Sequence, residues 1–220
     1  MEIAYRDRHD AGKRLAKLLS AYAHRPDVLV LALPRGGVPV AYEVARALKA
    51  PLDVFIVRKL GVPSHEEFAM GAIASSGMRV LNNDVIRALH IPERVVEEVV
   101  TREQRELERR EQLYRDGRPA PDVKGRTVIL IDDGLATGAT MRAALRALRE
   151  QQPARLIVAV PVAAPPTCLE LLDEADDVIC TLTPDPFFAV GLWYQNFEQT
   201  SDQEVHDLLA QVVQEPNFLS

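Results

Sequence analysis

Two adjacent carboxylates, Asp132 and Asp133, close the apolar run Val128-Ile129-Leu130-Ile131. A loop of small residues follows them: Gly134, Leu135, Ala136, Thr137, Gly138, Ala139 and Thr140. A strand end, two acids, such a loop and then a helix can together hold a phosphorylated sugar. Amides at a helix start, with the helix dipole behind them, favour a phosphate dianion. Gly134 and Gly138 let the backbone approach such a ligand closely. Thr137 and Thr140 add hydroxyl donors, and the carboxylates accept hydrogen bonds from sugar hydroxyls. The same acids can hold Mg2+ through water. The plainer reading is a strand–turn–helix whose acids only end the strand and cap the helix. The segment is not a Walker loop, because no Lys precedes a Ser or Thr at the required place, and it does not fit Gly-x-Gly-x-x-Gly.

Other segments carry residues suited to the same ligand. Leu33-Pro34-Arg35-Gly36-Gly37 ends the apolar run that begins at Val28. Two glycines after an arginine leave amides facing an anion, and Arg35 adds a forked donor. Alone, this is equally an ordinary β–α turn. Arg58-Lys59 follows the run Asp53 to Val57, and the long stretch Leu60 to Ser76 follows in turn, with His65, Glu66 and Glu67 inside it. Surface Arg-Lys pairs are common, so position gives this pair its interest. The segment Thr183 to Phe197 is aromatic-rich in a chain with 5% aromatics. Trp193 stands there either as a contact to a flat base or as core.

These residues need a scaffold. Runs at Val28 to Leu33, Asp53 to Val57, Thr127 to Ile131, Arg155 to Pro161 and Val178 to Leu182 have the form of buried strands. Helical patterns lie between or beside them at His9 to Tyr22, Pro39 to Lys49, Thr140 to Gln151, Thr167 to Ala175 and Ser201 to Val213. The alternation predicts an α/β fold, a parallel sheet flanked by helices. Leu60 to Ser76 reads as a long loop ending in a small hairpin, Ala69 to Ala74 and Met78 to Leu81. Pro92 to Arg115 reads as a long charged helix supported by i,i+4 pairs such as Glu106 with Arg110.

The chain of 220 residues suffices for one α/β domain with an appendage. Its net charge of −6 does not favour a nucleic-acid groove. Five scattered His make no metal cluster, and Cys168 and Cys180 are too few for a disulfide scaffold. The N-terminus lacks an apolar signal core, and no apolar run has the length to cross a bilayer. A cytoplasmic protein is expected, with a small-molecule substrate and neither nucleic-acid nor membrane partners.

The thirteen residues Val128 to Thr140 resemble the phosphoribosyl pyrophosphate signature of type I phosphoribosyltransferases. The resemblance implies that Asp132 and Asp133 hold the ribose hydroxyls and Mg2+ through water, and that Gly134 to Thr140 cradle the 5′-phosphate. It implies a pyrophosphate loop at Arg35, Gly36 and Gly37, which in the family often contains a cis non-proline peptide. Arg58 and Lys59 would face pyrophosphate ahead of a mobile catalytic loop. The segment 183–200 resembles the C-terminal hood, with Trp193 and Gln195 toward the base. Residues 83–118 look like an insertion, a cover over the site or a contact to a second subunit in a homodimer. Two departures weaken a hypoxanthine–guanine activity: Ala136 and Gln195 stand where the 6-oxopurine enzymes carry Asp.

The expected reaction is transfer of 5-phosphoribosyl to a nitrogen nucleophile with release of pyrophosphate, with Arg58, Lys59, Asp132 and Asp133 as the catalytic group. The alternative is a non-catalytic sensor of the same fold that binds phosphoribosyl pyrophosphate or a nucleotide. A hydrolase that recognises phosphoribosyl groups is a third reading. The acceptor is not legible from these residues.

Overall fold

The five expected strands lie side by side in one parallel sheet, in the order β2-β1-β6-β7-β8, although the run Asp53 to Val57 enters it only through Asp53 and Val54, and Val57 opens a second sheet. These strands are β1 (Val28–Ala32), β2 (Leu52–Val54), β6 (Thr127–Ile131), β7 (Arg155–Val162) and β8 (Asp177–Leu182). The computed structural model describes residues 3–63 and 65–214, without the side chains of residues 65–68, 76, 213 and 214. Every residue of β1 and β6 is buried, which is why both read as unbroken apolar runs. Val30 lies beside Ile129, and Ala32 beside Ile131.

Successive side chains of a strand point to opposite faces. Val28, Val30 and Ala32 therefore join a layer with α1 (Arg8–Leu18), α2 (Gly37–Leu48) and α7 (Asp202–Gln214). Leu29, Leu31, Val128 and Leu130 join the opposite layer with α5 (Ala139–Arg149). Helix α1 begins at Asp7, whose carboxylate accepts the amide of Asp10 at 2.7 Å, an N-cap. Between β7 and β8 the helix α6 (Pro165–Glu170) is shorter than expected and continues as a single 3-10 turn.

The stretch Leu60 to Ser76 is not the expected long loop. Strands β3 (Val57–Val62) and β4 (His65–Ala74) pair antiparallel, and β5 (Arg79–Leu81) adds to β4. The small hairpin expected near its end is the β4–β5 pair. Leu60, Val62, Met70 and Ile73 are buried with Val96, Val99 and Leu107, so apolar alternation outweighs the glycine and proline breakers. Register shifts beside Gly61 absorb the irregularity. The His65 side chain lies outside the described residues.

The segment 83–118, expected as a cover over the site or a contact to a second subunit, packs partly into the core. It forms α3 (Asn83–Ala88) and α4 (Glu93–Arg115), and Val96, Val99, Leu107 and Tyr114 of α4 are buried in the core. Arg115 at the end of α4 is 4% exposed; it binds Asp53 at 3.1 Å and donates to the carbonyl of Val54 at 2.8 Å. Cys168 of α6 and Cys180 of β8 form a disulfide, a cross-link beyond the sequence expectation.

Candidate functional site

From β1 the chain passes to β2 on one side, while β6 flanks the other side and leads to β7 and β8. The carboxyl ends of β1 and β6 thus flank a topological switch point, where open parallel sheets bind ligands. The Leu33 amide donates to the Ile131 carbonyl at 2.8 Å, holding the two strand ends together. The loops 33–37 and 132–140 face each other across this crevice.

The loop after β6 is pinned from below and open above. The Leu135 amide donates to Val162, and the Ala164 amide donates to Leu135, both at 2.9 Å. Thr167 Oγ1 donates to the carbonyl of Ala136 at 2.6 Å, and the Arg142 guanidinium donates to that of Thr137. Gly138 has φ 69°, and a Cβ there would lie 2.7 Å from Thr167 Cγ2. Leu135 is buried, whereas Ala136, Thr137, Ala139 and Thr140 are exposed. No side chain among the described residues caps α5, so its first amides can serve an anion.

The two acids differ in their partners. Asp132 Oδ1 accepts the amide of Asp133 at 2.8 Å. Burial, and then the charge of Asp133, push the Asp132 carboxyl well above the ordinary range. Burial also raises Asp133, against the opposing pull of Arg8. Arg8 Nε donates to Asp133 Oδ2 at 2.8 Å. Sequence reasoning missed Arg8, because it stands at the start of α1, far from any strand end. Its one signal was the capped helix start beside it.

The facing loop touches the acids closely. The Pro34–Arg35 peptide is cis, as the resemblance implies for this loop. A Cβ on Gly36 would come 2.0 Å from Asp133 Oδ2, and one on Gly37 would come 2.7 Å from the Ile131 carbonyl. Only glycines allow this approach. Arg35 Nη1 lies 3.6 Å from Asp202 Oδ1, which also accepts the Tyr114 hydroxyl at 2.5 Å.

Arg58 and Lys59 fall inside β3, not after a strand end, and the pleat sends them to opposite faces. Arg58 is engaged by Glu103 of α4, with Nε and Nη2 at 2.9 and 2.6 Å from Oε2. Lys59 borders a groove shared with Ala139, Thr140 and Arg142. The structure therefore does not present the two as one basic pair.

In the segment 183–200, Tyr194 donates its hydroxyl to the Asp133 carbonyl at 2.5 Å. Trp193 packs inward with Tyr5 and Val162, and its Nε1 is buried without a partner among the described residues. Gln195 is exposed, with its amide on the carbonyl of Tyr5 at 2.8 Å. Phe188, not singled out from the sequence, is the most exposed aromatic of this segment at 69%.

Comparison with known proteins gives a consistent set of likenesses. A family model described as "Phosphoribosyl transferase domain" matches residues 4–196. A protein of Mycobacterium tuberculosis, named "Putative phosphoribosyl transferase" in two strains, is 47% identical over 199 residues. That match covers 90% of this chain and 45% of the relative, so the chain spans about half the length of the curated relatives it matches. The crystal structure of a Thermus thermophilus protein, TT1426, is 41% identical with a TM-score of 0.83, covering 94% of this chain and 98% of that one.

Proposed function

Because the chain belongs to the phosphoribosyl transferase domain family, we propose that its switch-point crevice transfers a 5-phosphoribosyl group from phosphoribosyl pyrophosphate to a nitrogenous acceptor. One observation carries this reading. The uncapped start of α5, with Thr137 and Thr140 exposed, stands directly after two clustered carboxylates and opposite a glycine loop in contact with them.

In this reading the loop Gly134 to Thr140 takes the 5′-phosphate through the amides from Thr137 to Thr140 and the two hydroxyls, the Leu135 amide being given to Val162. Asp132 and Asp133 accept the ribose hydroxyls. Arg35, the amide of Gly36 and Lys59 face the pyrophosphate, while the Gly37 amide is taken by the Leu33 carbonyl at 3.1 Å. Arg58 acts through its ion pair and not as a direct contact. Phe188 is the exposed ring of the segment 183–200 that could stack on a flat acceptor, and the exposed Gln195 side chain could add a hydrogen bond to it. The work of these groups is positioning and electrostatics, since pyrophosphate departs from the anomeric carbon with charge developing on both sides.

Among the described residues no group of three or more His, Cys, Asp or Glu could hold a metal ion. Asp132 and Asp133 alone suit Mg2+ held mainly by water and by the ligand's own oxygens. Burial raises both carboxyls and the Asp133 charge raises Asp132 further, a cost that such an ion would offset. When bound, it supplies charge neutralisation to the leaving pyrophosphate.

We take residues 1–220 as one domain in the cytoplasm. No described helix is long and apolar enough to cross a membrane. The Cys168–Cys180 disulfide is the observation against that compartment, since reducing conditions keep thiols apart.

The engagement of Arg58 by Glu103 favours a second reading, a binding protein of the same fold that senses the ligand without turnover. A screen of pyrophosphate release, with phosphoribosyl pyrophosphate, Mg2+ and a panel of nitrogenous bases, separates the two. Release with one acceptor supports the transferase. Tight binding without release for every acceptor supports the sensor.

A further inference from the structure

Arg8 occupies a junction that the reaction as proposed does not use. Its guanidinium donates through Nε to Asp133 Oδ2 at 2.8 Å and through Nη1 to the Glu198 carbonyl at 2.7 Å. Its Cζ lies 3.9 Å from the centroid of the Phe197 ring, a cation–π contact. The ion pair is well enclosed, with side chains 11% and 15% exposed. The surroundings fix each partner in turn. Phe197 packs on Tyr194 at 4.9 Å between centroids, and Tyr194 donates to the Asp133 carbonyl. The amides of Gln195 and Asn196 bind the carbonyls of Tyr5 and Arg6, both at 2.8 Å. Gly36 packs against the same carboxylate oxygen, where a Cβ would lie 2.0 Å from Asp133 Oδ2.

One side chain on α1 thus ties together an acid of the crevice, the hood backbone and a hood ring. A carboxylate held at one oxygen by a fixed guanidinium loses its rotational freedom, and its other oxygen keeps one direction. We infer that Arg8 is a positioning residue for sugar recognition: it aims the Asp133 carboxylate at a ribose hydroxyl and sets the hood by the same contact, without touching the ligand. This inference rests on the reading of the crevice as a phosphoribosyl site.

The ratio of two affinities tests it. Ribose 5-phosphate and inorganic phosphate are titrated calorimetrically into the full chain and its Arg8→Met and Arg8→Lys variants. The phosphate is common to both ligands, so the ratio reports the sugar alone. In Arg8→Met the preference for ribose 5-phosphate should fall about tenfold, the scale of one charge-assisted hydrogen bond. Lysine keeps the charge but loses the fork and the flat stack, so Arg8→Lys should keep part of the preference. Should Arg8→Met fail to fold, Arg8→Lys is read alone, and a fall of the ratio by about threefold or more is expected. Parallel weakening of both ligands in either variant marks a purely structural residue and overturns the inference, as does an unchanged ratio. If the unaltered protein binds ribose 5-phosphate no better than phosphate, the sugar reading itself falls.

Discussion

Arg58 of β3 is bound through two nitrogens to a single oxygen of Glu103 in α4, and Lys59 beside it faces the other way. Helix α4 thereby takes one member of an adjacent basic pair into its own packing, while the other borders the groove it shares with Ala139, Thr140 and Arg142. Arg58→Ala and Lys59→Ala should therefore fail differently. Arg58→Ala should lose stability by about 1–3 kcal/mol, because a largely buried carboxylate loses both hydrogen bonds to Oε2 and keeps only Arg102 Nε at 3.0 Å. Lys59→Ala should fold normally and bind phosphoribosyl pyrophosphate several-fold more weakly. Urea unfolding and calorimetry on the two variants check this; reversed outcomes would refute the division of roles.

Glu103→Ala tests the same ion pair from the other side. Its carboxylate is held by Arg58 and also by Arg102 Nε at 3.0 Å. The variant should unfold about 1–3 kcal/mol more easily in urea, discounted for the partial exposure of Arg58. A loss below about 0.5 kcal/mol, the range of ordinary surface substitutions, would show that α4 is not anchored there.

Gly36→Ala should damage the crevice despite its small size. Its φ of −60° permits any residue, so the effect comes from the added methyl alone, 2.0 Å from Asp133 Oδ2. Either the loop or the carboxylate must move, and ribose 5-phosphate affinity should fall about tenfold or more. Gly37→Ala, near the Ile131 carbonyl, should cost stability in addition. A Gly36→Ala protein with unchanged affinity would separate Asp133 from the ligand.

Asp132 should oppose folding at neutral pH. Burial, then the neighbouring Asp133 charge, makes its carboxyl bind a proton more tightly in the folded state than at the ordinary value of 3.8. A group raised in this way contributes stability that is fully present below the unfolded value and lost as pH rises through the folded one. In metal-free buffer at about pH 7, Asp132→Asn should thus melt about 2–4 °C higher. The gain should shrink as the pH falls toward the ordinary carboxylate value, where the carboxyl is protonated. The same variant should bind ribose 5-phosphate more weakly, the trade expected of a functional acid. A lower melting temperature at neutral pH would show that Asp132 is structurally stabilising.

The parts of the site that were legible in the sequence are those whose chemistry is local. A strand end, two acids and a glycine-bearing loop occupy contiguous positions, so Asp132 to Thr140 could be read without a fold. The five strands were legible because burial on both faces makes each an unbroken apolar run. The hairpin β3–β4 was not legible, because Gly61, Pro63 and Gly71 look like breakers until α4 supplies a surface for Leu60 and Ile73 to bury against. Arg8 was hidden for a similar reason: its partner is 125 residues away, and only the folded chain brings α1, the hood and β6 together. Trp193 illustrates the reverse, an aromatic with the right neighbours that turns out to pack inward.

The central claim is that the loop of residues 134–140 and the two acids before it hold a phosphoribosyl group. A crystal structure of the protein with ribose 5-phosphate tests it most directly. The account predicts the phosphate against the amides and hydroxyls from Thr137 to Thr140, with the ribose hydroxyls turned to Asp132 and Asp133. Sugar phosphate bound elsewhere, for instance among Lys59, Arg142 and Arg146, with the loop after β6 empty, would contradict it.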